Sequence, residues 1–441
     1  MQLNIKSVTV IAVATVVAVI AVAGIYTFNT KQEAATPPSG KASALQPGAT
    51  LPHGHPPMNQ ENQTGTTGAP QPGNSMSQGQ PPVNQESPQA GQSGKVPEDP
   101  NTKFTHFRTG NSNVKSIFID GKVVWVATTG GVIRYNTGTD EFRVFDVTNG
   151  SGLLSNGIFY IGKLDGRIAV GTYGGGMSLY DQASDKWENF NVPNGVADAF
   201  VYKVMKVSNG DIWIATWSGA NRIRGGDLKD RSKWDVYTVE NTKGGLPNDW
   251  VYSLEEGKDG EMWFATEGGP ARFKDGKWQH WKVGAPFEKI KNDPKFGVDP
   301  AKLSEHHAQQ AKEMGLQGMS GAGAYNPNYI VSMLVDRDGV VWCGTWGGGL
   351  ARFDGEKWSN YTMSDGLPGN LIFMLHRDPS GQLWIGTNNG VALLEGNKME
   401  GKKLKVLTTN DGLYANIVFS MATAPDGSKW LGSFGGVTHL K

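Results

Sequence analysis

The sequence predicts an all-β propeller of seven blades. Three observations carry that prediction. The first is a phrase that returns seven times: Trp, any residue, Ala or Gly, Thr, any residue, then Gly or another small residue. It starts at Trp125, Ala169, Trp213, Trp263, Trp342, Trp384 and Trp430, at intervals of 44, 44, 50, 79, 42 and 46 residues. A four-stranded propeller blade takes roughly 40–45 residues. The second is an Asp-Gly type dipeptide shortly before each phrase, as at Asp165-Gly166, Asp259-Gly260 and Asp426-Gly427. Such dipeptides suit tight antiparallel turns. The third is an aromatic-x-x-aromatic segment late in the unit: Phe142/Phe145, Trp187/Phe190, Trp234/Tyr237, Trp278/Trp281 and Trp358/Tyr361, with Leu404/Leu407 as a weak copy.

Each unit thus reads as four strands. The first ends in the Asp-Gly turn, the second is the Trp phrase, and its Gly residues turn the chain into the third. The aromatic pair marks the fourth. One extra fourth strand, Phe104/Phe107, precedes the first phrase, whereas the last unit stops at Lys441 without one. Exposed strand edges are avoided in native sheets. The Phe104 strand is therefore expected to complete the last blade beside the C-terminal strand and close the ring.

The repeats resemble those of the two-component regulator propeller family. Its repeat has a Trp-x-Gly-Thr strand, a Gly hairpin, an Arg-Tyr/Phe strand, a Trp-x-x-Tyr-Thr strand and an Asp-Gly-Leu-x-x-Asn loop. The loop appears here at Gly152–Asn156, Gly245–Asn248, Asp365–Asn370 and Asp411–Asn416. The resemblance covers about residues 103–441. It implies a sensory propeller outside the cytoplasm that informs a signalling partner. Many relatives carry two propellers, a membrane span and a histidine kinase. This chain shows one propeller, an N-terminal span, and no kinase or DNA-binding segment.

Residues 1–31 are expected to be a membrane anchor or signal segment. Val8 to Ile25 is apolar or small apart from Thr9 and Thr15. Extended to Phe28 it spans about 31 Å as a helix, enough to cross a bilayer. Ala21-Val22-Ala23-Gly24 also fits a signal-peptidase site. As an anchor the segment gives a single-pass protein at the cell membrane. Cleaved, it gives a secreted or periplasmic one. Either way the propeller is extracytoplasmic.

Residues 32–100 read as a disordered linker. They hold 13 of the 23 prolines and no aromatic residue, too little apolar surface to order a segment. The propeller fills 101–441. The 41 basic and 41 acidic residues balance, so nothing points to nucleic acid as a partner. Cys343 is the only cysteine. It takes the slot of Val126, Ile214, Phe264 and Ile385, so it reads as a small buried hydrophobe.

The strand order places two loop classes at one end, here called the top: the Gly hairpins and the Gly-Leu-x-x-Asn crossovers. The residue after Thr sits on each hairpin and varies: Thr129, Tyr173, Trp217, Glu267, Trp346, Asn388 and Phe434. Four aromatics and a carboxylate suit a glycan or a peptide through stacking and polar contacts. The alternative is that they pack against the next blade. A second ring, Asn113, Asn156, Asp198, Asn248, Asn328, Asn370 and Asn416, either lines the channel mouth or caps its own loops. Asp198 is its odd member. An insertion at about 284–327 is expected over the top, with a short helix starting near Pro300 that carries His306 and His307. It is a candidate lid or partner contact.

Two function classes follow, beside a third in which the propeller is a purely structural envelope scaffold with no concavity on its top face. The first is a membrane-tethered sensory propeller binding a glycan, peptide or protein partner. The second is a propeller enzyme, a lyase or hydrolase, with Glu267 as general acid and a His from the insertion as its partner. No cofactor is indicated and no resident metal is expected. His306 and His307 are adjacent and diverge on a helix, and His53, His55 and Met58 read as a solvated linker tract.

Overall fold

The computed structural model describes residues 94–95, 103–290, 326–401 and 403–441. The anchor segment, the linker with its His53/His55/Met58 tract, and His306 and His307 lie outside the described residues. No helix among those described is long and apolar enough to cross a membrane.

The fold is an all-β propeller. Its strands are β1 (Gly94–Lys95), β2 (Phe104–Asp120), β3 (Val123–Thr128), β4 (Gly131–Asn136), β5 (Glu141–Phe145), β6 (Ile158–Leu164), β7 (Arg167–Thr172), β8 (Met177–Asp181) and β9 (Lys186–Phe190). Then follow β10 (Val201–Lys206), β11 (Ile212–Thr216), β12 (Gly219–Ile223), β13 (Trp234–Tyr237), β14 (Val251–Glu256), β15 (Met262–Thr266), β16 (Gly269–Lys274) and β17 (Lys277–His280). After a single helical turn, α1 (Phe287–Ile290), come β18 (Asn326–Val335), β19 (Val341–Trp346), β20 (Leu350–Phe353) and β21 (Trp358–Tyr361). The last are β22 (Ile372–Arg377), β23 (Gln382–Thr387), β24 (Gly390–Glu395), β25 (Lys405–Leu407), β26 (Val418–Thr423) and β27 (Lys429–Leu440).

These strands form six hydrogen-bonded sheets, not the seven separate ones the repeats predict. Five are antiparallel sheets of four consecutive strands, and the sixth has seven strands. The difference has a local cause. β2 is 17 residues long and belongs to two ladders. Its first part pairs with β27, Phe104 opposite Leu440 and Phe107 opposite Val437. Its second part pairs with β3, Val114 opposite Thr128 and Phe118 opposite Trp125. β27 turns about Gly435 (φ 75°), which stacks the Trp430 ring on His439 at 4.3 Å. The Phe104 strand thus lies beside the C-terminal strand, as ring closure requires. The innermost strands β2, β6, β10, β14, β18, β22 and β26 each lie beside the next, and β26 returns to β2.

The recurrent residues have physical reasons. The phrase Trp is buried, from 0% to 3% exposed, at all six positions where it occurs. In four units the Arg directly opposite on the third strand lies over its ring, as Arg272 does over Trp263 at 5.6 Å. The small residue two places on is needed because the neighbouring innermost strand closes on it. A Cβ at Gly171 would stand 2.5 Å from the Val201 carbonyl oxygen, and one at Gly344 2.6 Å from that of Ile372. The phrase Thr ties the hairpin, as Thr266 Oγ1 donates to the Gly269 carbonyl at 2.6 Å.

The crossover loop is equally constrained. Asp365 accepts from the Thr362 amide at 2.8 Å and Asp411 from that of Thr408 at 2.9 Å. Gly366 and Gly412 follow in left-handed conformation (φ 101° and 113°), where glycine carries no steric penalty. Leu367 and Leu413 then plug the space between sheets, each 3% exposed. Leu153 and Leu246 do the same at 3% and 0%.

Candidate functional site

The innermost strands position the site. Each one has a register shift against the second strand of its unit between a ladder residue and the residue two further on, for example Val201/Lys203 and Val251/Ser253; β18 has one more before it, at Asn326/Ile330. A β-bulge of this kind breaks the alternation of faces and re-aims a side chain. The residues so singled out are Lys115, Phe159, Tyr202, Tyr252, Val331, Phe373 and Phe419. All seven are partly exposed, while the ladder residue before each is buried.

Their rings form a nearly continuous series. Phe159 and Tyr202 are 4.7 Å apart, Tyr202 and Tyr252 4.8 Å, and Tyr252 and Tyr329 4.7 Å. Tyr329 stacks on Trp346 at 5.6 Å, Trp346 meets Phe373 at 5.9 Å, and Phe373 meets Phe419 at 5.3 Å. The sequence reading missed this belt. The available signal was one aromatic residue directly after the first β-branched residue of most innermost strands.

The belt brings several predicted hairpin residues together. Tyr173 lies 5.6 Å from Phe159, and Trp217 stacks against Tyr202 at 6.2 Å. Glu267 accepts from the Tyr252 hydroxyl at 2.8 Å. The hairpin residues also contact the next unit, as the packing alternative expected. Tyr173 meets Phe200 at 4.2 Å and Trp217 meets Trp250 at 4.2 Å. Trp217 and Glu267 are buried, Tyr173 and Trp346 partly exposed. Asn388 is held between its own amide donating to Leu371 at 3.2 Å and its Oδ1 accepting from the Leu371 amide at 3.3 Å. Thr129 Oγ1 accepts from the Asn113 amide at 3.0 Å. Phe434 stands apart, 55% exposed at the turn of β27.

Burial raises the pKa of Tyr173, Tyr202, Tyr252 and Tyr329 above the ordinary phenol value. For Tyr252 the Tyr329 and Glu267 charges add to burial. These groups are therefore neutral phenols at physiological pH. They offer ring faces and hydroxyl donors.

The second predicted ring divides into two neighbouring positions. Asn156, Asn328, Asn370 and Asn416 accept from the amides of Val147, Val283, Met363 and Thr409 at 2.8–3.0 Å. In the third-to-fourth unit crossover Asp249, not Asn248, makes that bond, to Val239 at 2.7 Å. Asn248 instead accepts from Trp250 N at 2.7 Å, and Asp198 from Phe200 N at 2.8 Å. Asp198 also accepts from Ser218 Oγ at 2.6 Å. These side chains fasten the crossover loops.

The insertion is described only at its ends. Lys289, in α1, donates to Asp365 at 2.8 Å and to the Asn360 carbonyl at 3.2 Å. The Ala285 amide donates to Gly348 at 3.0 Å. Its start is thus anchored on the top of the adjoining sheet. Cys343 is fully buried among Trp263, Met333 and Ala351, and burial pushes its thiol far up. It is the inert hydrophobe expected.

A separate cleft of about 190 Å³ lies at the closure seam, lined by Phe107, Val126, Tyr135, Phe142, Trp430 and Val437 among others. Phe142, which lines it, is 50% exposed, whereas Trp187 at the matching place of the next unit is 5% exposed. It holds no hairpin or belt residue, so it is no part of the site. Among the described residues no cluster of His, Cys, Asp and Glu could hold a metal ion.

The sequence profile of the family described as "Two component regulator propeller" matches residues 245–268, 324–347 and 366–389. Among solved structures, the chain is similar to the extracellular domain of the hybrid two component system BT3049 from B. thetaiotaomicron. That match has TM-score 0.55 and 17% identity, covering 75% of this chain and 40% of that one. A match to the extracellular domain of the B. thetaiotaomicron system BT4673 has TM-score 0.53 and 18% identity, over 79% and 40%. The chain thus spans about 40% of the length of either. A virginiamycin B lyase from Staphylococcus aureus, solved with quinupristin, matches with TM-score 0.51 and 14% identity, over 76% and 98%. At these identities the likenesses show the fold. No curated protein matches the sequence. Three repeats of this chain, at 245–268, 324–347 and 366–389, thus match the two component regulator propeller model.

Proposed function

We propose that this protein is an extracytoplasmic, membrane-tethered sensory propeller. It binds a glycan, a peptide or a protein partner at its top face and informs a separate signalling partner. The observation that carries the reading is the aromatic belt with Tyr173, Trp217 and Trp346 above it. Several partly exposed rings on the innermost strands, with neutral hydroxyls between them, suit stacking and directional hydrogen bonding of a ligand. The extracellular setting of the similar B. thetaiotaomicron domains supports the location, as does the apolar run from Val8 to Ile25. The seven-stranded sheet is read as two blades joined through β2. The closed cycle of seven innermost strands supports that reading.

The enzyme alternative rests on Glu267 meeting a histidine of the insertion. Glu267 accepts from Tyr252, a bond that orients a carboxylate without making it a catalyst. The sensory reading is therefore preferred. A thermal-shift screen of the full chain against glycans and peptides tests it, since a ligand of the folded state raises the melting temperature. Trp217→Ala should abolish the shift. A shift unaffected by Trp217→Ala and Tyr202→Ala would move the site away from this face.

A further inference from the structure

The innermost strands carry four lysines. Three have carboxylate partners: Lys163 with Asp120 at 2.9 Å, Lys203 with Glu255 at 2.6 Å and Lys206 with Asp165 at 2.5 Å. The fourth, Lys115, has no hydrogen bond or ion pair to a described residue. Its ammonium lies over the Phe419 ring, 4.8 Å from the centroid. The sequence explains the lack of a counter-ion. The flanking strands β3 and β26 contain no charged residue, and the only one on β6, Lys163, is already paired. Lys115 is also the single charged member of the seven bulge residues. The other six are aromatic or Val331.

Lys115 is partly exposed; so far as its ammonium is shielded from water without a partner it is penalised, and a ring face compensates only in part. Burial accordingly lowers the pKa of Lys115. The other inner-strand lysines show that this fold can supply carboxylates. At Lys115 it supplies a ring face and no carboxylate among the described residues.

Building on the ligand-binding reading above, we propose that the ligand is a small organic anion. Its planar apolar body stacks on the Phe159, Phe373 and Phe419 faces, and its carboxylate meets the Lys115 ammonium. The pairing supplies that carboxylate, so ligand binding and proton retention by Lys115 favour each other.

The test uses the full chain and two probes of equal shape, 2-naphthoate and neutral 2-naphthamide, titrated by calorimetry. The wild type should prefer the carboxylate by tenfold or more. Lys115→Met should erase that preference while keeping a cooperative melt, and Lys115→Arg should retain part of it. Equal affinity of the wild type for both probes would overturn the assignment, as would a preference that survives Lys115→Met. A neutral oligosaccharide or peptide that binds in a Trp217-dependent way, with no response to 2-naphthoate, would overturn the anion assignment and leave the sensory site standing. Loss of both responses would overturn both.

Discussion

At the residue scale, the same side chains that build the site should cost stability. Lys115 has a lowered pKa in the folded protein. Between that value and the ordinary 10.5 the unfolded chain holds more protons, so stability rises with pH across that window. Below it the penalty on the charged form is full. Lys115→Met should therefore raise the melting temperature at neutral pH. A calorimetric scan that shows a drop would mean the amine is well satisfied. His376 behaves in the same sense and for the same leading reason. Burial lowers its value below 6.5, with Asp378 opposing and Lys429 reinforcing. Its Nε2 lies 2.9 Å from Thr423 Oγ1. It is held neutral, so stability should fall as pH drops below about 6.5. Carboxylates with lowered values, such as Asp378 and Asp426, lose their contribution only below their ordinary 3.8. A melting-temperature profile of His376→Gln should lose the first acid slope and keep the second. The sequence made the role of Cys343 plain, because its slot is apolar in sister repeats. It hid the bulge residues, because a one-residue bulge breaks the alternation from which facing is read.

At the element scale, the hairpin glycines and the closing strand are the fragile parts. Gly131 has φ 120°, and a Cβ there would stand 2.3 Å from the Phe145 carbonyl oxygen. Gly131→Ala should destabilise by about 2 kcal/mol or more, through backbone strain and overpacking together. Gly121→Ala, with φ 62° but open space around it, should cost less. Urea unfolding of the pair separates contact from conformation. If the two variants cost the same, the close approach to the fourth strand is not what selects glycine. The closing strand makes a kinetic prediction. The Phe104–Arg108 amides pair with the end of β27, so they should exchange hydrogen as slowly as those of β27. Fast exchange there beside slow exchange in β27 would mean the ring is open. This pairing was legible in the sequence from a surplus fourth strand at one end and a missing one at the other. The offset of Asp249 from Asn248 was not, because both neighbours can cap the loop and only the bond to Val239 decides which does.

At the scale of the whole molecule, the framework and the site were legible to different degrees. Residues that repeat with each unit build the fold, and repetition exposes them: the Trp, the small residue, the Thr, the hairpin Gly and the crossover Leu each have one recurring contact. The site consists of what does not repeat, and the hairpin series from Tyr173 to Phe434 was visible on that ground. Its union with a belt on the innermost strands depended on contacts between units, which no single repeat encodes. The separation into six sheets instead of seven likewise reflects β2 and β27, two segments that stay extended where other units break. The most direct test of the account is the titration of Lys115 itself, followed by NMR in lysine-labelled full chain and assigned with Lys115→Arg. An amine beside aromatic rings without a carboxylate should lose its proton below the ordinary 10.5, and return toward that value when 2-naphthoate is bound. A Lys115 signal that titrates like the paired lysines, with or without the probe, would contradict it.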